Sequence, residues 1–267
     1  MQVAALPPAK KRFGQNFLVQ PAMVERIMAA IRPQPRDFLV EIGPGPGALT
    51  RRLLPTLAHL TVIELDRDMI PTLENLAAPE QLTVVQADAL KVDFARLGES
   101  DKPLRVVGNL PYNVATPIIF HILESAGRIQ DMHFMLQKEV VDRMVAAPGS
   151  KTYGRLSVMI QASCQVESLF TVAPGNFYPV PKVDSAFMRL LPYQPALLQE
   201  PQRTAFAQIV ARSFAQRRKT MANNLRGIFS AEQLRALDID PTCRAETLDQ
   251  AAFFRLAEAF AKQGSQA

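Results

Sequence analysis

Cysteine, histidine and long apolar runs are all scarce in these 267 residues, and each scarcity closes off a class of protein. The two cysteines, Cys164 and Cys243, stand far apart and neither has a CxxC partner, so neither a disulfide framework nor a zinc site is indicated. The histidines His59, His121 and His133 show no ligand spacing; they read as packing or surface residues, and no metal is expected. No stretch approaches the roughly 18 consecutive apolar residues of a membrane span. The start, Met1 to Arg12, is basic and proline-interrupted, without the apolar core of a signal segment or a transit sequence, and a cytoplasmic protein is expected. Repeats and low-complexity segments are missing too, and without a long heptad pattern a monomer is expected.

What remains is a chain that can bury a core. It is 48% hydrophobic with 21 prolines and 12 glycines, enough for one well-packed domain and a small second one. Its net charge of +5 and pI near 9.4 favour a polyanionic partner, because clustered Lys and Arg gain affinity by releasing counterions from phosphates.

From Phe38 to about Gln137, short β-branched or apolar runs alternate with helical stretches: Phe38 to Ile42, Leu60 to Leu65, Leu82 to Gln86, Arg105 to Val107 and His133 to Leu136. That rhythm predicts a parallel sheet with crossover helices. Extended stretches around Val166 to Val172 and Val183 to Leu191 flank a proline-rich turn region, Pro174 to Pro181, and would close the sheet as an antiparallel pair. Gly154 to Ser163 fits helix or strand by periodicity, with helix preferred. After Pro192 the strand-like runs stop, so the expected domains are 1–192 and a helical 193–267. There Phe206, Ile209, Val210 and Phe214 make one apolar helix face, while Ser230 with Gln233 and Thr247 with Gln250 have capping-box spacing.

The first strand runs into Glu41-Ile-Gly-Pro-Gly-Pro-Gly47, followed by helical Ala48 to Leu54. Glycines at a strand-to-helix turn permit positive φ and let the backbone approach a ligand. Gly43, Gly45 and Ala48 also satisfy the looser spacing of nicotinamide oxidoreductases, and the plainest alternative is a tight turn without a ligand. Glu64, ending the second strand, supplies a carboxylate for two ribose hydroxyls, and Asp88, after the third, one for an adenine amino group. Three strand ends thus converge on one nucleoside.

The fourth strand leads into Asn109-Leu-Pro-Tyr112. An adenine amine is a poor nucleophile because its lone pair is delocalised into the ring. It needs acceptors that hold its protons aside while the lone pair faces an electrophilic methyl. The Asn109 side-chain oxygen and the Leu110 carbonyl supply them, Pro111 brings no competing N–H, and Tyr112 offers a ring for the base to stack on. No general base is demanded before attack, since the product ammonium is acidic. The alternative is a proline turn with a packed tyrosine.

These residues, with Gly14-Gln-Asn-Phe-Leu18, Leu136-Gln-Lys-Glu-Val140, Tyr153-Gly-Arg-Leu-Ser157, Phe177-Tyr-Pro-Val-Pro-Lys-Val-Asp-Ser185 and Gln216-Arg-Arg-Lys-Thr220, resemble the ribosomal RNA adenine dimethyltransferases over nearly the whole chain, most closely the members acting on small-subunit rRNA. The resemblance implies a Rossmann-like S-adenosylmethionine-dependent α/β sheet with a small carboxy-terminal all-helical domain. It implies N6,N6-dimethylation of two adjacent adenines near the 3′ end of small-subunit rRNA, with naked RNA or an immature small ribosomal subunit as partner. Asn16 and Leu18 would touch S-adenosylmethionine beside Gly43; Glu64 would hold its ribose, Asp88 its adenine, and Asn109 would line both cofactor and target base. Phe177 looks like the family's second aromatic, facing Tyr112 across the flipped-out adenine, although in a proline-rich loop it reads equally well as core.

For phosphates, Arg212, Gln216 and Lys219 share one side of a predicted helix, with Arg217, Arg218 and Arg226 nearby, and Lys10, Lys11 and Arg12 form a second cluster. Arg217, Arg218 and Lys219 are the candidate RNA contacts; the bland alternative is a solvated charged face. Two other functions fit parts of the pattern. A nicotinamide oxidoreductase leaves Asn109 to Tyr112 unexplained, and a non-enzymatic rRNA-binding assembly factor would retain only the cofactor pocket.

Overall fold

The computed structural model describes residues 7–10, 13–98 and 102–264, so Lys11 and Arg12 of the amino-terminal basic cluster lie outside the described residues. Nine strands are assigned among them: β1 (Phe17–Leu18), β2 (Phe38–Ile42), β3 (Leu60–Glu64), β4 (Leu82–Gln86), β5 (Leu104–Asn109), β6 (Ile129–Gln137), β7 (Cys164–Val172), β8 (Phe177–Tyr178) and β9 (Ser185–Pro192). Seven form one sheet in the order β4-β3-β2-β5-β6-β9-β7. Strands β2 to β6 are mutually parallel, and β9 joins β6 antiparallel. β2, β3 and β5 are buried almost throughout and are mostly apolar, while β4 at the edge is only partly buried.

The chain leaves β2 towards β3 on one side and returns to β5 on the other. In open α/β sheets a ligand cleft lies at such a switch, beyond the carboxyl ends of the strands. The neighbours approach closely there: a Cβ added to Gly108 of β5 would stand 2.5 Å from the Ile42 carbonyl oxygen, so no larger residue fits.

A separate two-stranded ladder pairs Phe17 with Tyr178 and Leu18 with Phe177, tying the amino-terminal arm to the loop before β9. Helix Pro21–Ile31 starts on a proline, whose missing N–H costs nothing in the first turn, and buries Val24, Ile27 and Ile31 as one stripe.

The chain divides into two compact units, Met1–Val141 with Glu167–Pro192, and Asp142–Val166 with Tyr193–Ala267. One boundary between the units falls after Pro192, and residues 142–166 group with the carboxy-terminal unit. Their apolar side chains explain it: Ala146, Tyr153, Val158 and Ala162 share one core with Phe206, Ile209, Val210 and Phe253, and the Tyr153 hydroxyl donates to the Leu248 carbonyl at 3.0 Å. Arg155–Gln161 is the preferred helix.

Two local expectations need correction. Ser230 and Gln233 do form a capping box, but Thr247 does not cap with Gln250; its hydroxyl donates back to Arg244, and Asp249 caps helix Gln250–Gly264 by accepting from Ala252. The helix expected to carry Arg212, Gln216 and Lys219 together, Gln202–Ser213, stops before the last two. Asn224 Nδ2 donates to the carbonyls of Ser213, Gln216 and Lys219, which satisfies a turn in place of further helix. Among the described residues no helix is long and apolar enough to cross a membrane.

Candidate active site

One cavity opens at the switch point, and residues from five segments line it: the arm from Phe13 to Leu18, the turn after β2, Glu64 and Leu65 after β3, Ala87 to Ala89 after β4, and Asn109 to Val114 after β5. All belong to the first compact unit. The structure therefore gathers Asn16, Leu18, Gly43, Glu64, Asp88, Asn109, Leu110, Pro111 and Tyr112 around a single space.

Gly43 and Gly45 hold φ of +65° and +55°, the left-handed region that other residues enter only at a cost. A Cβ on Gly43 would meet nothing nearer than the Asn109 carbonyl oxygen at 3.9 Å, whereas one on Gly45 would press on the Phe17 ring at 3.1 Å. The first glycine thus faces open space and the second underlies the arm.

Glu64 is buried, and both its oxygens already serve the backbone. Oε2 accepts from the Gly45 N–H at 3.0 Å and Oε1 from the Asp66 N–H at 2.8 Å, so the carboxylate shapes the glycine turn as well as facing the cavity. Burial raises its pKa above the usual carboxylate range against the pull of those N–H groups. Asp88 Oδ1 accepts from the Leu90 N–H at 3.0 Å, capping a short 3-10 turn and leaving its other oxygen.

Asn109 Nδ2 donates to the Asn16 carbonyl at 2.8 Å, which fixes the amide plane. Among the described residues no donor engages Asn109 Oδ1 or the Leu110 carbonyl, so two consecutive cavity-lining residues each keep an unengaged acceptor. The Tyr112 hydroxyl shares a 2.6 Å hydrogen bond with Ser185 Oγ, pinning its ring, and burial pushes the phenol above its ordinary range.

Phe177 departs from the expectation. It is 2% exposed, packs in the main core and does not line the cavity. Alternation explains this: in a two-residue strand one side chain goes inward and the next outward, and the outward one is Tyr178. Of the candidate RNA contacts, Arg218 and Lys219 are exposed, while Arg217 is tied to Glu246 at 2.9 Å and to the Lys151 carbonyl at 2.7 Å.

Leu65, Glu41 and Gln15 are among the cavity residues that escaped the sequence reading as site residues. Leu65 lines the cavity at 49% exposure, as a leucine awaiting cover would. Its signal was its place directly after Glu64 at the end of β3. Glu41 is buried beneath the glycine turn with the Thr50 hydroxyl donating to it at 2.7 Å; burial pushes its carboxyl up to about 8, the Thr50 bond pulls down and the Glu64 charge adds to the rise. Gln15 of the arm donates to Asp66 Oδ2 at 3.0 Å, and Lys10 ion-pairs with Asp66 and Asp68 at 2.5 Å each, latching the arm down. Nothing in local composition pairs Lys10 with residues more than fifty positions on.

Residues 8–262 match the family model described as ribosomal RNA adenine dimethylase. The chain is 73% identical over 266 residues to ribosomal RNA small subunit methyltransferase A of Acidithiobacillus ferrooxidans, covering 100% of both chains. It is 52% identical over 257 residues to the protein of that name from Pseudomonas aeruginosa, covering 95% of each. Among solved structures, a dimethyladenosine transferase from Plasmodium falciparum superposes with a TM-score of 0.81 at 26% identity, over 93% of this chain and 98% of that one. The 23S rRNA methyltransferase ErmE does so with 0.72 at 25% identity, over 92% and 100%.

Proposed function

The chain belongs to the ribosomal RNA adenine dimethylase family, and from that premise we propose how its cavity works: it seats S-adenosylmethionine against an adenine of rRNA and directs methyl transfer to the N6 amine. The substrate we infer is small-subunit rRNA, in naked form or within an immature small ribosomal subunit, a reading supported by the names of the full-length relatives. The motif resemblance supports N6,N6-dimethyladenosine at two adjacent adenines near the 3′ end as the product. With it go a linked role in small-subunit biogenesis, a cytoplasmic setting and a monomeric enzyme.

The residues fit this cofactor. Open space in front of Gly43, the half-exposed Leu65 and the carboxylates of Glu64 and Asp88 make a cradle for a nucleoside with an amino-acid tail. When bound, S-adenosylmethionine supplies a methyl group made electrophilic by its sulfonium. The chain supplies position. Glu64 is placed for the ribose hydroxyls, Leu65 for one face of the adenine, and Asp88 for its amino edge. Asn16 and Leu18 close the space from the arm.

At the acceptor end, Asn109 Oδ1 and the Leu110 carbonyl take the two amine protons as hydrogen bonds, which turns the nitrogen lone pair out of conjugation and steadies the positive charge growing on nitrogen. Pro111 adds no N–H to compete there. Tyr112, its hydroxyl held by Ser185, offers a fixed ring to the base. Phe177 supports this wall from the core, by pairing with Leu18.

The observation that carries the reading is the Asn16–Asn109 hydrogen bond, because it spends the amide's donor and leaves its acceptor for the substrate. Titration calorimetry tests it: the protein binds S-adenosylmethionine and not NAD, and Asn109→Ala keeps RNA binding while turnover collapses. NAD binding, or full turnover without the Asn109 side chain, would overturn it.

A further inference from the structure

Six large apolar side chains are markedly exposed among the described residues, and three of them, Tyr178 at 53%, Val180 at 64% and Val183 at 45%, fall within one six-residue stretch. Monomers seldom cluster such surface unless something covers it. The stretch is also exposed at Lys182 and carries Pro179 and Pro181, whose fixed φ leaves little freedom to lose on binding.

Both ends of this loop are fastened to the wall of the active site. At its start, Tyr178 stands directly opposite Phe17, whose ring lies against Gly45. Phe17 and Leu18, the partners of Tyr178 and Phe177, both line the cavity, so this short ladder borders it and Tyr178 is its exposed member. At its end, the Asp184 carbonyl accepts from the Lys138 N–H at 2.9 Å, and Ser185 holds the Tyr112 hydroxyl at 2.6 Å. The exposed loop therefore runs between two residues that line the place where the target base is read.

Resting on the adenine-methylating reading above, we propose that the loop Tyr178–Asp184 is the docking surface for the RNA strand beside the target, with Tyr178 stacking on the nucleotide next to the methylated adenine. An adenine drawn out of its stack leaves a neighbour with one bare face, and that face is apolar and flat. Tyr178 presents a half-exposed ring to it. Val180 and Val183 extend the apolar strip, and Lys182 faces the phosphates with a charge complementary to theirs. A protein partner would have no reason to sit at the mouth of a base pocket.

The test uses the full chain and unmethylated small ribosomal subunits. Tyr178→Ala should raise KM for the particles roughly tenfold, the scale of one lost base stack, with kcat and cofactor affinity unchanged, and Tyr178→Phe should restore KM. With p-benzoylphenylalanine placed at position 178, ultraviolet crosslinks should map to nucleotides adjacent to the methylated adenines. An unchanged KM in Tyr178→Ala, a loss that appears in cofactor affinity or thermal stability instead, or crosslinks to protein or distant rRNA would each overturn the proposal. Failure of the unsubstituted protein to methylate the particles would instead sink the reading beneath it.

Discussion

Asn109 donates to the Asn16 carbonyl and leaves its oxygen unengaged, so in the proposed reading Asn109→Ala removes an acceptor at the reacting nitrogen and one tether of the arm. Loss of one preorganised polar group at a reacting centre costs about 10²- to 10³-fold in kcat. Single-turnover methylation should show that drop while RNA binding stays within a few-fold. Glu41 makes a pH prediction. Its carboxyl titrates near 4.5 when unfolded and about 8 when folded, so the unfolded chain sheds its proton first, and Glu41 erodes stability as pH climbs from about 4.5 to 8. Glu41→Gln should therefore gain on the unsubstituted protein in Tm as pH rises from 5 to 8; a constant difference would show that Glu41 is already ionised. The cationic cofactor favours the carboxylate. Its binding near pH 7 should release protons, visible as a buffer-dependent calorimetric enthalpy that Glu41→Gln abolishes.

Among elements, the glycine turn and the arm are where substitutions separate binding from folding. Gly43→Ala meets open space and should block the cofactor while adding only the modest strain of a positive φ, on the order of 1–2 kcal/mol. Gly45→Ala carries the same strain and also displaces Phe17, so it should melt lower than Gly43→Ala in a thermal scan. Lys10→Met releases the latch on Asp66 and Asp68 and should speed cofactor dissociation several-fold in stopped flow, with added salt doing the same to the unsubstituted protein.

How far these elements were legible in the sequence depends on where their partners lie. The strands announced themselves because buried parallel strands need short runs rich in apolar and β-branched residues, and the residues after them followed from the ligand cleft that parallel sheets form. Asn109 to Tyr112 could be placed at the cavity because they directly follow a buried strand, although the partners that fix them, Asn16 and Ser185, lie far off in sequence. Phe177 could not, since its fate hangs on which face of a two-residue strand meets Phe17 and Leu18, a pairing some 160 residues distant. The placement of residues 142–166 and the turn built by Asn224 were hidden for the same reason: each depends on contacts that periodicity does not encode.

Across the whole molecule, stability and function sit at opposite ends of the same strands. Arg105, early in β5, is 6% exposed; its guanidinium donates to Asp131 at 2.9 to 3.2 Å, to Asp37 at 2.5 Å and to the Ile31 carbonyl at 2.7 Å, joining β5, β6 and the end of helix Pro21–Ile31. Arg105→Leu strands buried Asp131 without its cation and should cost about 3–5 kcal/mol in denaturant unfolding, with the cofactor affinity of the folded protein unchanged. The net charge of +5 should make RNA binding fall steeply with salt. Because Arg217 is already paired within the protein, Arg218→Ala with Lys219→Ala should flatten the slope by roughly 1.4 to 1.8, at about 0.7 to 0.9 per phosphate contact, and adding Arg217→Ala should change it little.

The central claim is that this cavity dimethylates adenine in small-subunit rRNA, and methyl-labelled S-adenosylmethionine tests it most directly. The purified protein is given unmodified small-subunit particles and, in parallel, large-subunit RNA; the RNA is digested to nucleosides and the labelled species weighed by mass spectrometry. The account predicts labelled N6,N6-dimethyladenosine from the small-subunit sample alone. Label confined to large-subunit RNA, or none in either while the cofactor still binds, would contradict it.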